Sequence, residues 1–341
     1  MSEKTKKKAN SPKKNHKKKQ PLIPMWGKVL LALFFIVVIT SSVALGLFFS
    51  TLKNLDTVKL NKDQLGITSR EELKGYSSYS KIKNIALFGI DSEDGAGRSD
   101  SIMIATIDPV HDKLKITSIM RDSYVNIDDY GYTKLNHAYA YGGPELSIKT
   151  INQSFGLNID DFAAVDFNSL PKIIDALGGI TIDITDEEVE YINNYINDLN
   201  EKNYTGSPLI SSAGEQAVDG TQALAYTRIR YTAGGDFERT RRQRTVLSKL
   251  FSKALETSPT QYLSVTNQLL PYVRTSMDAN KILDLATKVA KMGGGTLEQE
   301  RFPRDSYASN QLIDGVSYYV FDEAATKKQI MDYIYDDKLN D

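Results

Sequence analysis

"NIALFGIDSEDGAGRSDSIMIATIDPVHDKLKITSIM", residues 84–120, alternates apolar runs with polar turns. The runs "NIALFGI" (84–90), "SIMIATI" (101–107) and "KLKITSIM" (113–120) are rich in isoleucine and punctuated by Gly, Asp and Pro, the signature of strands joined by turns. The first run ends at Asp91, the loop "SEDGAGR" (92–98) returns the chain at Ser99-Asp100, and the second run descends to "DPVHD" (108–112). The third climbs back to Met120-Arg121-Asp122. As neighbours in one sheet, these strands bring Asp91, Arg98, Asp100 and Arg121 to a single edge.

Further strands are expected at "FAAVDF" (162–167) and "ITIDI" (180–184). Helical periodicity marks Pro144–Phe155, Leu170–Leu177, Asp186–Leu199, Gln216–Tyr226, Asp236–Glu256 and Ala279–Lys291. Strands and helices in this order predict an α/β fold, a three-layer αβα sandwich with a central sheet. Because 84–120 is a meander, the sheet should be mixed rather than purely parallel.

Upstream the composition changes. Residues 1–28 carry ten lysines against one acid, Glu3, although the whole chain has a formal net charge of −1. This segment reads as a basic cytoplasmic tail attracted to anionic membrane lipids. "VLLALFFIVVITSSVALGLFF", residues 29–49, has no charge over 21 residues and as a helix spans roughly 30 Å, the thickness of a bilayer core. A cleaved signal peptide has a shorter apolar core, so one uncleaved transmembrane helix is expected. Lysines before it place the N-terminus in the cytoplasm and the remainder outside the cell. Residues 50–82 read as an extracellular stalk, 83–260 as the main folded domain and 261–341 as a helical extension packed on it.

The chain has no cysteine and three histidines, which excludes thiolate chemistry and leaves zinc sites and Ser–His–Asp triads poorly supplied. It has twelve arginines, and six of them lie in "TRIRYTAGGDFERTRRQR" (227–244). From Asp236, a plausible N-cap, Val246, Leu247, Leu250 and Ala254 form an apolar stripe. At about 100° per residue, Arg239, Arg242 and Gln243 project on or beside it, whereas Arg241 and Arg244 point away. Arg228 and Arg230, two apart in an extended segment, share a side. Singly, each arginine has a plainer reading as a surface ion pair, and each aspartate as a turn residue. Converging, guanidinium forks match phosphate oxygens bidentately. Asp91 and Asp100, on strands about 4.8 Å apart, suit one Mg²⁺, with Mn²⁺ as a substitute. The exported part is acidic and its arginines are local, so no nucleic acid is expected. A diphosphate carried on a lipid fits a membrane-anchored enzyme.

These residues resemble the LytR–CpsA–Psr family of cell-envelope enzymes. The resemblance rests on "LFGID", "GRSDSIMI", "SIMRDSYV", "KLNHAYAYGG", "VDFNSLPKIIDALGGITIDI", "AVDGTQALAYTRIRY" and "DFERTRRQR", in order over roughly 80–260. It implies transfer of a glycopolymer phosphate, of teichoic acid or capsular type, from an undecaprenyl-diphosphate carrier to a peptidoglycan sugar hydroxyl. By the same resemblance Asp91 and Asp100 hold the metal, and Arg98, Arg121, Arg228, Arg230, Arg239, Arg242 and Gln243 grip the diphosphate. Arg121, Asp236, Arg239 and Gln243 are the expected catalytic residues, with Asp236 or Asp122 as proton acceptor. Ser92-Glu93 departs from the family, many of whose members place an arginine after the first motif's Asp. Arg244 stands where the last motif often has Gln. The resemblance also implies an apolar groove beneath the site, for which "LPKIIDALGGI" and the stripe at 246–254 are suitable linings. A membrane-bound regulator and a non-catalytic phospho-glycan binding module are the alternatives.

Overall fold

The computed structural model describes residues 56–339, apart from 92–96, 167–168, 233–234, 257–267, 269 and 293–295. The basic tail and the expected span at 29–49 lie outside the described residues, among which no helix is long and apolar enough to cross a membrane.

Along the chain come β1 (Asp56–Thr57), β2 (Lys83–Asp91), β3 (Arg98–Asp108), β4 (Lys113–Ile119), β5 (Tyr124–Ile127), β6 (Gly131–Lys134) and helix α1 (His137–Phe155). They are followed by β7 (Phe162–Asp166), α2 (Leu170–Ala176), β8 (Ile180–Ile184), α3 (Asp186–Asn203), β9 (Gly214–Val218), α4 (Gly220–Arg228) and α5 (Gly235–Glu256). The last part holds β10 (Val273–Thr275), α6 (Ala279–Lys291), β11 (Thr296–Phe302), β12 (Ala308–Ile313), β13 (Val316–Phe321) and α7 (Glu323–Asp336).

The meander is real: β3 pairs antiparallel with both β2 and β4. The central sheet has seven strands in the order β1-β10-β7-β2-β3-β4-β11, and β7 and β11 run parallel to β2 and β4, so it is mixed. Side chains alternate across it as the pleat requires. Phe88, Ile90, Ile102 and Ile104 pack on one face against Ile148, Ile151 and Phe155 of α1 and Ile330 and Ile334 of α7. Ile85, Ile107 and Leu114 pack on the other against Leu285 and Val289 of α6. Helices therefore cover both faces.

A second core lies beside the sheet. The β8–β9 hairpin, α3 and α4 close around Ile182, Ile192, Ile196 and Leu224, and Val246 of α5 joins them. Capping boxes start both helices here, Thr185 with Glu188 for α3 and Asp219 with Gln222 for α4. Gly220 lets α4 approach α2 closely; a Cβ there would lie 2.1 Å from the Pro171 carbonyl oxygen. The helix expected from Gln216 thus begins at Gly220, because residues 214–218 are taken by pairing with β8.

Two domain boundaries are corrected. The supposed stalk is packed into the body from residue 56 onward, with Leu65, Leu73 and Ile82 buried in the main core and β1 paired to β10. Residues 261–341 are not an attached helical extension, since they supply β10 and β11 to the central sheet and α7 to its core. Both segments lack a motif but carry apolar side chains that the sheet faces need.

Candidate active site

The C-terminal ends of β2 and β4 and the start of β3 meet at one sheet edge. Asp91 pairs in register with Arg98 across β2 and β3. Carrying the Met103–Ser118 register three residues further brings Arg121 opposite Asp100, and Arg121 Nη1 lies 2.6 Å from Asp100 Oδ2. Asn136 Nδ2 donates to the other carboxylate oxygen at 3.2 Å. Asp122 follows, paired to Lys134 at 2.7 Å. Arg98, Asp100, Arg121, Asp122, Lys134 and Asn136 line one cavity of about 470 Å³.

The second core delivers the arginines. α4 ends at Arg228, where a cation complements the helix dipole, and Arg228 and Arg230 reach a second cavity of about 340 Å³. Arg239 and Gln243 are one turn apart on α5 and share a face; both line that cavity, with Arg239 only 3% exposed. Asp100 completes its wall, so the carboxylate expected from the strands and four of the residues expected from the arginine-rich segment meet in one place. Tyr195, Thr227 and Tyr231 also line it, none of them singled out by the sequence. Burial pushes the Tyr195 phenol up, and Tyr231 adds to the shift against the lowering by Arg230 and Arg228.

Arg242 corrects the expectation that it grips a diphosphate. It is 1% exposed, and its Nε donates to Glu188 Oε1 at 2.7 Å, Nη1 to the Ile229 carbonyl at 3.2 Å and Nη2 to Thr232 Oγ1 at 2.6 Å. Every nitrogen of the fork is thus committed to tying α5 to α3 and to the segment after α4. Three residues from Arg239, it faces the second core instead of the cavity. Arg228 closes a helix rather than lying in an extended segment, yet it and Arg230 reach the same cavity. The helix bearing Arg239 starts at Gly235, so Asp236 lies in its first turn and is not its N-cap. The side chains of Asp91, Asp236 and Arg244 lie outside the described residues.

A third cavity, of about 210 Å³, adjoins the arginine cavity. Thr227 and Gln243 line both, and apart from Ser101 and Asp166 the rest of the wall is apolar, including Leu87, Ala163, Leu170, Ile173, Val246, Leu247 and Leu250. Leu170, Ile173, Val246, Leu247 and Leu250 belong to the two segments expected to line a groove, whereas Leu87 and Ala163 come from β2 and β7. His137 Nδ1 lies 2.9 Å from Thr133 Oγ1; burial, with Arg98 and Lys134 nearby, pushes the imidazole below its usual value.

Known proteins are similar to this chain in sequence and fold. A model of the LytR_cpsA_psr family matches residues 49–332. The chain is 30% identical over 323 residues to polyisoprenyl-teichoic acid–peptidoglycan teichoic acid transferase TagU of Oceanobacillus iheyensis, covering 90% of this chain and 92% of that protein. It is also 30% identical over 263 residues to regulatory protein MsrR of Staphylococcus aureus, covering 75% of each. In fold it matches the Bacillus subtilis protein YwtF (TagT) solved with bound octaprenyl pyrophosphate lipid, with a TM-score of 0.58 at 22% identity over 82% of this chain and 99% of that one. A match that takes in every strand of the central sheet makes this chain a member of the LytR–CpsA–Psr family.

Proposed function

We propose that the protein transfers an anionic glycopolymer of teichoic acid type from a polyisoprenyl-diphosphate carrier to a sugar hydroxyl of peptidoglycan. The observation that carries this reading is that a polar cavity lined by Arg228, Arg230 and Arg239 adjoins an apolar one, with Thr227 and Gln243 in the walls of both. Head and tail of an amphiphilic diphosphate need that pair of environments side by side. The name of the TagU relative supports the coarser part of this reading, a teichoic acid moved from a polyisoprenyl carrier to peptidoglycan. A regulator reading leaves both cavities unused.

In the reaction an acceptor hydroxyl attacks the phosphorus that bears the polymer. The bond to the bridging oxygen breaks, polyisoprenyl phosphate leaves, and a phosphodiester to peptidoglycan remains. The arginines hold the diphosphate oxygens in place and stabilise the charge that grows on the leaving phosphate. The hydroxyl proton passes to a carboxylate at the cavity edge, where Asp122 is placed.

The residues present fit Mg²⁺. Asp100 takes one contact from Arg121 and one from Asn136, which leaves lone pairs on its two oxygens. Mg²⁺ usually takes one or two carboxylates and completes its shell with water and phosphate oxygens, so the absence of a three-carboxylate cluster among the described residues does not count against it. Asp100 and Asp91 would hold it, and it would supply charge neutralisation to the diphosphate. Asp100→Asn is expected to lower turnover by about 10²-fold or more and to remove the dependence on added Mg²⁺. Undiminished, chelator-sensitive transfer from a purified lipid-linked polymer would refute the assignment.

We further propose that residues 29–49 anchor the chain with its body outside the cell and its lysine tail against anionic lipids inside. The chain has no cysteine, so single introduced thiols report sidedness. On intact cells Tyr204→Cys, a position 97% exposed, should react with a membrane-impermeant maleimide, and Ser2→Cys only after lysis. The opposite pattern sinks the topology.

A further inference from the structure

Two polar cavities meet at Asp100. The arginine-lined one adjoins the apolar cavity and is the one proposed above for the carrier. The other leads away from it, past Ala140 in the first turn of α1. His137, Ala140 and Tyr141 share a helix face by their spacing, so His137 and Tyr141 neighbour the Ala140 wall of this second cavity.

Aromatic rings continue outward from there. Tyr141 stacks on Tyr130 with centroids 4.3 Å apart and planes at 17°, and the His137 ring lies 5.8 Å from Tyr141. Tyr130, on the turn between β5 and β6, is 53% exposed and Tyr141 44%. Along the hairpin, Tyr124 sits 5.3 Å from Tyr132 and 4.8 Å from Tyr318. Lys134, which lines the cavity, lies over the Tyr318 ring. An exposed stacked pair beside a cleft, with a second tyrosine group along the same hairpin, marks a binding site rather than ordinary surface.

The chemistry of the patch selects its occupant. Flat tyrosine faces edged by hydroxyls complement a pyranose ring, which has C–H faces and a rim of hydroxyls. Charge then separates the two glycans of the reaction. Asp128 and Asp129 sit beside Tyr130 in the hairpin turn; Asp128 is paired to Lys149 at 2.6 Å and Asp129 is exposed. The Asp129 carboxylate disfavours a phosphate-rich polymer at Tyr130, whereas it does not disfavour uncharged amino-sugar rings. Arg98, Arg121 and Lys134 line the cavity itself, so the acidic turn selects at the tyrosine ledge and not inside the cavity.

We propose that this tyrosine ledge is the acceptor subsite, holding sugar rings of a peptidoglycan strand so that one hydroxyl enters the cavity lined by Asp100 and Asp122. The assignment of acceptor rests on the transferase reading above; the assignment of a glycan rests on the ledge alone.

The full chain in detergent micelles is titrated calorimetrically with a soluble, uncrosslinked peptidoglycan fragment and, separately, with a short-chain polyisoprenyl diphosphate. Tyr130→Ala/Tyr141→Ala is expected to weaken glycan binding, and to raise its KM in transfer, roughly tenfold or more, with diphosphate affinity unchanged. Tyr130→Phe/Tyr141→Phe keeps the rings and should retain both affinities. Glycan affinity unmoved by the alanine pair overturns the ledge, as does a wild-type chain that does not bind the fragment. Weakened diphosphate binding with glycan binding intact also overturns it, by giving the tyrosines to the donor. A wild-type chain that binds the fragment but not the diphosphate overturns the transferase reading and supports the ledge as a glycan site.

Discussion

Replacing Arg239 by alanine is expected to lower turnover about 10²–10³-fold, the usual cost of removing one preorganised donor from a site where negative charge develops. Arg239 is buried yet faces the cavity, one helical turn from Gln243 and across from Arg228 and Arg230. A guanidinium in such a place is shielded from water, so its interaction with an arriving diphosphate is stronger than at the surface. Its side chain borders a cavity rather than filling a core, and the variant should keep its circular dichroism spectrum. Arg241→Ala is the control, because Arg241 is exposed and pairs with Glu238 at 2.7 Å; it should stay within about twofold of wild type, since exposed pairs contribute little. Steady-state transfer to peptidoglycan checks both. Near-normal turnover of the Arg239 variant would remove the arginine cavity from the chemistry.

Glu188→Ala should act on stability instead. Glu188 is 2% exposed; its Oε1 accepts from Arg242, and its Oε2 accepts from the Thr185 backbone N–H at 2.9 Å. Truncation breaks the cap of α3 and strands a buried cation between α3 and α5. Losing one partner of such a pair costs about 3–5 kcal/mol, and the cap adds about 1 kcal/mol. For a body of this size the melting temperature should fall by roughly 10 °C. Glu188→Leu combined with Arg242→Met removes both charges and should recover most of that loss, because apolar replacements of buried pairs are often neutral. Thermal unfolding of the three proteins decides it. If Glu188→Ala melts like wild type, Arg242 does not tie the two helices together.

These two arginines, three residues apart on one helix, show where sequence reading stops. Periodicity located the helix and separated Arg239 and Gln243 from Arg241 and Arg244. It left Arg242 beside Arg239, because a helical wheel has no information about which neighbour waits on each flank. Glu188, far off in the chain, makes that decision. Asn136 was similarly hidden in "KLNHAYAYGG", where the histidine drew attention, although its amide is what steadies Asp100. Tyr195 and Tyr231 carry no local signal, since a tyrosine on an amphipathic surface reads the same whether it borders a cavity or a core.

The meander at 84–120 could be read directly because strand alternation and turn chemistry are local, and the direction of each strand then places Asp91, Arg98, Asp100 and Arg121 at one edge. The capping residues, the apolar stripe of α5 and the crowding of arginines are local in the same sense. Tertiary structure alone decided that β10 and β11 complete the sheet and that the second core swings α4 and α5 over its edge. It also set the polar cavity beside the apolar one. Those outcomes depend on pairings between segments more than a hundred residues apart, such as Leu114 with Leu297. Burial of complementary apolar faces selects such pairings, and no short window of residues contains both partners.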